Sequence, residues 1–99
     1  MLIVAGYFEV EPDRREEFIA ARTDAMRRSR QETGCITYVF SADPIEVGLV
    51  HLFERWESKE ALAAHLEVMR ASGRPNDSQV VISSEVKQYE IAEVGTVGS

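Results

Sequence analysis

Two histidines, three tyrosines and one tryptophan are the side chains best suited here to move a proton or grip a flat molecule. Both histidines and the tryptophan fall in one stretch, His51-Leu-Phe-Glu-Arg-Trp-Glu-Ser-Lys-Glu-Ala-Leu-Ala-Ala-His65. An imidazole titrates at about pH 6.5, so His65 is the first candidate for a base or substrate anchor, with His51 second, as a residue of the pocket or of an interface between subunits. The structural alternative for His65 is a packed ring hydrogen-bonded to a backbone carbonyl or to a carboxylate such as Glu54 or Glu57. Tyr38, in the hairpin of the second and third strands, is the tyrosine best placed to offer a hydroxyl in a cavity, the alternative being a core or interface residue. Trp56 could stack on a flat ligand or pack a helix. Phe40, Phe53, Leu66 and Met69 could wall a pocket or fill a core. Glu54 reads as a polar pocket group or as a buried acceptor, since burial without a partner is costly. Arg74, beside Pro75, could close over an anionic product or be a solvated loop residue. Two histidines without neighbouring ligands make a poor metal signature, and no metal is expected.

The elements that must position these groups follow from pattern. Leu2 to Val10 is rich in β-branched and aromatic residues and reads as a first strand. Pro12 and the acids after it open a helix from about Pro12 to about Glu32, with Phe18, Arg22, Ala25, Met26 and Ser29 on one side. Gly34 marks its stop, and Cys35 to Ala42 is a second strand. Asp43-Pro44 turns the chain into a third strand from Val47 to Trp56, making an antiparallel hairpin. Alternation sends His51 and Phe53 to one face of it and Leu52, Glu54 and Trp56 to the other. Ser58 caps a second helix whose stripe Leu62, His65, Leu66 and Met69 turns His65 inward. Gly73-Arg74-Pro75 ends that helix. An irregular lid or rim is expected through Val80, Val81 and Ile82, then a fourth, bulged strand from Glu85 to Val94. Residues 95–99 read as a loose tail after a single domain over 1–94.

The order β-α-β-β-α-β is the split βαβ, an α+β ferredoxin-like fold: a four-stranded antiparallel sheet with helices on one face. The other face still carries apolar residues, and a 99-residue chain alone buries only about 65% of its unfolded surface. Two sheets packed face to face in a homodimer are therefore expected. Acids outnumber Lys plus Arg by 17 to 11, a net charge of −6, which opposes nucleic-acid binding. Cys35 is the single cysteine, so no disulfide can form within the chain. The N-terminal Met1-Leu-Ile-Val-Ala is too short an apolar run for a leader or a membrane span, and a reducing cytoplasm is the expectation.

Gly34-Cys-Ile-Thr-Tyr38, Phe53-Glu-Arg-Trp-Glu-Ser58 and Glu60-Ala-Leu-Ala-Ala-His65 together resemble the antibiotic biosynthesis monooxygenase (ABM) domain of the dimeric α+β barrel group, over roughly Met1 to Val94. The resemblance implies a homodimer with a pocket in each subunit between its sheet and its own helices. It implies relatives that oxygenate aromatic polyketides and quinols with O2 and no metal or flavin, relatives that degrade haem, and an isomerase. Haem-degrading members carry Asn, Trp and His where an ungapped alignment puts Gly6, His65 and Pro75 here, so that branch does not match. The expectation is a cofactor-independent monooxygenase on a small aromatic molecule, with His65 as base and Tyr38 as donor. The alternatives are a proton-transfer isomerase and a non-catalytic binding or dimerisation module.

Overall fold

The computed structural model describes residues 1–73 and 75–98. β1 (Leu2–Val10), β2 (Cys35–Ala42), β3 (Leu49–Trp56) and β4 (Val81–Glu90) form one antiparallel sheet in the order β2-β3-β1-β4. A 3-10 turn at Pro12–Arg14 leads into α1 (Arg15–Ala20) and α2 (Thr23–Arg30), and α3 is Lys59–Ser72. This is the expected ferredoxin-like α+β fold.

Register sets which side chains share a face. Leu2, Val4 and Gly6 of β1 pair with Trp56, Glu54 and Leu52 of β3. Tyr38 and Phe40 of β2 pair with Glu54 and Leu52 from the other side. These residues face the helices, and Val50, Leu52, Glu54 and Trp56 are all buried while His51 is exposed, so the alternation read for β3 holds. The core joins Trp56, Tyr38 and Leu62 to Phe18, Phe40 and Val10. β2 is an edge strand, and α2 covers its free backbone groups: Arg30 Nε donates to the Tyr38 carbonyl at 2.9 Å and the Phe40 amide to Met26 Sδ at 3.4 Å.

The first helix is not the continuous rod expected over Pro12 to Glu32. It breaks at Ala21–Arg22, where Arg22 has φ −105° and ψ 0°. The Arg22 amide bonds the Ile19 carbonyl, a tightened turn, in place of the Phe18 carbonyl four residues back. Arg22 Nη1 then takes that freed Phe18 carbonyl at 3.1 Å. One side chain thus satisfies the group that the break releases.

β4 also departs from expectation: it runs from Val81 to Glu90, not from Glu85 to Val94. Val81 and Ile82, expected in a lid or rim, are strand residues. Glu9 pairs with Ser83 and Val10 with Val81, which leaves Ile82 as an extra residue at a bulge. A bulge is thus present as expected, but it lies at Ile82, before the stretch from Glu85 in which it was expected. An edge strand takes its limits from its single neighbour, and β1 extends only to Leu2–Val10. Gly6 lets the two strands approach, because a Cβ there would collide with the Glu85 carbonyl oxygen. β3 begins at Leu49, two residues later than read, because Gly48 belongs to the connection and its carbonyl accepts from the Val10 amide at 2.7 Å.

Both ends of α3 follow their local signals. Ser58 Oγ accepts from the Ala61 amide at 3.1 Å, and Gly73 follows the last turn with φ 77°. In the β2–β3 connection Asp43 Oδ2 accepts from the Ile45 and Glu46 amides. Arg15 Nη1 reaches the carbonyls of Asp43, Glu46 and Leu49 and holds that loop to α1.

Candidate active site

Between the sheet and the helices lies a cavity of about 940 Å³, within the range of small-molecule sites. Its walls include Tyr38, Phe40, Glu54 and His65, with Leu66 and Met69 on α3. Six of the residues singled out above therefore meet there. Leu66 is 44% exposed, so it stands at the mouth of the cavity and not in the core.

His65 is 3% exposed, and Nδ1 lies 2.6 Å from Glu32 Oε1. The partner is thus neither Glu54 nor Glu57 but a residue just past α2. A carboxylate only accepts hydrogen bonds, so a neutral ring must carry its hydrogen on Nδ1, which leaves the Nε2 lone pair free. The imidazole packs 4.6 Å from the Trp56 ring and 5.2 Å from the Tyr38 ring, centroid to centroid.

Trp56 is fully buried behind His65 and does not line the cavity. Its Nε1 donates to Glu54 Oε1 at 2.9 Å, so its role in the geometry is to hold the histidine and the glutamate. Burial pushes the Glu54 carboxyl above its ordinary pKa, while the Trp56 hydrogen bond and nearby His65 oppose the rise. The Tyr38 phenol is pushed up to about 12, chiefly by burial and then by Glu54, so at neutral pH it is a hydroxyl that can donate. The Ser29 hydroxyl lies near it, fully buried and without a well-aligned hydrogen bond.

Two other candidates stand apart. His51 and Phe53 lie on the opposite face of the sheet, in a shallow depression with Tyr7 and Tyr89. There His51 Nε2 is 2.7 Å from Asp43 Oδ1. The two histidines therefore do not share a site. Arg74 lies outside the described residues.

Several side chains that had not been singled out also line the cavity, Arg22 and Asp77 among them. Arg22 projects into it with its guanidinium carbon 3.6 Å from the centre of the Phe18 ring, and Asp77 sits at its rim. The signal for Arg22 was its place on the inward side of the first helix, among Phe18 and Met26. Glu32 had no local signal. Among the described residues, no three His, Cys, Asp or Glu side chains cluster as metal ligands would, and no helix is long and apolar enough to cross a membrane.

The family description "antibiotic biosynthesis monooxygenase" matches residues 1–68, more than half of the chain. The chain belongs to the antibiotic biosynthesis monooxygenase family. It is 36% identical over 98 residues to the uncharacterized protein sll1783 of Synechocystis, covering 97% of this chain and 67% of that protein. YcnE of Bacillus subtilis, provisionally named a monooxygenase, is 25% identical over 95 residues, with coverage of 94% and 100%. A Deinococcus radiodurans crystal structure, provisionally named an antibiotic biosynthesis monooxygenase, superposes with a TM-score of 0.82 at 22% identity and full coverage of both chains. That last likeness bears on the fold alone. In this ABM chain the matched residues include Glu32, Tyr38, Glu54, Trp56 and His65.

Proposed function

We propose that this ABM protein is a monooxygenase that works without metal or flavin, oxidising an acidic aromatic molecule such as an anthrone, a quinol or a polyketide-type phenol with O2. The observation that carries the reading is His65, oriented by Glu32 at 2.6 Å on the wall of an aromatic-lined cavity. The substrate itself supplies the electrons. For an anthrone, Nε2 of His65 takes a proton from the ring CH2 that lies opposite the carbonyl. The resulting anion passes one electron to O2, and the radical and superoxide join as a new C–O bond. Loss of the second C–H proton with cleavage of the O–O bond leaves a carbonyl and water, so R2CH2 and O2 become R2CO and H2O. Tyr38, held neutral, donates to the reduced oxygen, and Glu32 steadies the imidazolium.

A homodimer belongs to the same proposal. A second copy on the outer sheet face would cover Tyr7, Phe53 and Tyr89, and light scattering at micromolar concentration should give twice the 11.1 kDa chain mass. A monomer would remove that part of the proposal.

Oxygen uptake with a panel of anthrones, quinols and acidic phenols is the test. Uptake above the spontaneous rate that is unaffected by chelators and falls in His65→Ala supports the reading. The presence of Glu54, a carboxyl whose pKa burial raises, beside the base His65 favours a second reading, a proton-transfer isomerase. Turnover with no oxygen consumed would select it. Substrate binding without any turnover would leave a non-catalytic module.

A further inference from the structure

Arg22 plays no part in the proton and oxygen chemistry above, yet the fold buries its side chain to 13% exposure on the wall of the same cavity. Its guanidinium stacks on Phe18 at 3.6 Å, with the Phe40 and Phe8 ring centres at 5.4 and 5.8 Å. A guanidinium has five N–H donors. Among the described residues Arg22 makes one aligned hydrogen bond, to the Phe18 carbonyl. Nη2 lies 2.5 Å from Asp77 Oδ2, a charge contact that is not aligned as a hydrogen bond, and Oδ2 is otherwise unpartnered. The cavity's other cations differ: Arg28 bonds Ser72 and Met69 at the surface, and Lys87 is an exposed partner of Glu85.

The rest of the wall places this cation relative to the base. His65 packs on Tyr38 at 5.2 Å, Tyr38 on Phe40 at 6.1 Å, and Arg22 lies over Phe40 at 5.4 Å. The base and the cation thus stand at the two ends of a wall made by Tyr38 and Phe40. An internal carboxylate already sits at the cation, in imperfect geometry, on a turn at the rim. On a chain of net charge −6, a local cation of this kind favours entry of an anion.

We infer that the substrate is an aromatic carboxylic acid whose carboxylate displaces Asp77 and is received by the Arg22 guanidinium, with the acidic C–H or O–H at the far end against His65. This names the substrate class for the monooxygenase reading and rests on it for the role of His65. A carboxylate matches the planar fork of arginine in a way that Asp77, held by its turn, does not.

The test uses two anthraquinones that cannot be oxygenated by this route, a dihydroxyanthraquinone carrying one carboxylate and the same ring system without it. Binding to the full-length protein is followed by calorimetry. The parent protein should prefer the carboxylate about tenfold or more, the size of a charge-assisted hydrogen bond. Arg22→Gln should abolish that preference while binding the uncharged anthraquinone to within about twofold of the parent. Asp77→Asn, with the competing carboxylate gone, should bind the carboxylate about threefold tighter or better. A parent protein that binds neither compound, no preference in the parent, a preference that survives Arg22→Gln, or weaker carboxylate binding by Asp77→Asn would each overturn the assignment. If circular dichroism shows that Arg22→Gln does not fold, the parent preference and Asp77→Asn decide. Absence of oxygen uptake with the carboxylate preference intact would sink the oxygenase reading and leave the anion site standing.

Discussion

Glu32→Ala tests the placement of the proposed base. The substitution removes the acceptor of His65 Nδ1–H, a bond of 2.6 Å between a ring 3% exposed and a carboxylate side chain 17% exposed. A buried donor left without a partner costs about 1 to 3 kcal/mol, and partial water access on the Glu32 side puts this one at about 2 kcal/mol. In a domain of this size that is a fall in Tm of roughly 10 °C. Glu32→Gln should recover most of it, because the amide oxygen can accept from Nδ1. Without Glu32 the ring loses its preference for the tautomer with Nε2 unprotonated, and turnover should drop about a hundredfold, the scale of general-base catalysis. Thermal unfolding measures the first effect, and two-bond 1H–15N couplings report directly which ring nitrogen carries hydrogen in the parent protein. An Nε2–H tautomer in the parent would refute the reasoning. So would a Glu32→Ala protein within about 0.5 kcal/mol of the parent and equally active.

Other outcomes follow from burial and charge. Glu54 has a folded pKa raised above 4.5, so folding favours its protonated form, and its stabilising contribution, complete below pH 4.5, is lost as pH rises through the folded value. Glu54→Gln, which keeps an acceptor for Trp56 Nε1, should therefore melt higher than the parent at pH 7, and this advantage should vanish below pH 4.5. Asp43 is the opposite case. The Glu46 amide, His51 and the Ile45 amide lower its pKa from 3.8 to about 2, so its contribution is present above pH 3.8 and lost as pH falls through about 2. Exchange protection of the Ile45 and Glu46 amides should persist at pH 4 and fade below about pH 2. Gly6→Ala drives a Cβ into the β4 backbone at Glu85 and Val86. Hydrogen exchange should show β4 opening first, at a cost of about 2 kcal/mol or more; unchanged protection there would contradict the close approach of the two strands.

Much of the fold was legible because its signals are local. β1 and β2 end where they were read, and α3 starts at the Ser58 cap, since a cap, a glycine and a period of two or 3.6 each act within a few residues. β4 was misplaced because an exposed edge strand carries little alternation and takes its register from β1. The break at Arg22 was hidden for a related reason. Helical periodicity says which side of a segment turns inward but not whether a side chain will take the carbonyl of the preceding turn.

The same division runs through the site. Alternation along β3 and the stripe on α3 were enough to send Glu54 and His65 towards the helix side of the sheet and His51 to the other, and the residues around them were enough to bring the ABM family into view. Only the tertiary structure decided that His65 is held by Glu32, 33 residues earlier, that Trp56 stands behind the imidazole and not on the cavity wall, and that Arg22 meets Asp77 in direct contact at the cavity wall. Periodicity constrains the direction of a side chain, whereas its partner depends on how closely α2, α3 and the turn at Asp77 approach one another. That approach is set by the packing of Phe18 and Leu62 against Phe40 and the rest of the sheet, a sum of contacts between residues far apart in the chain.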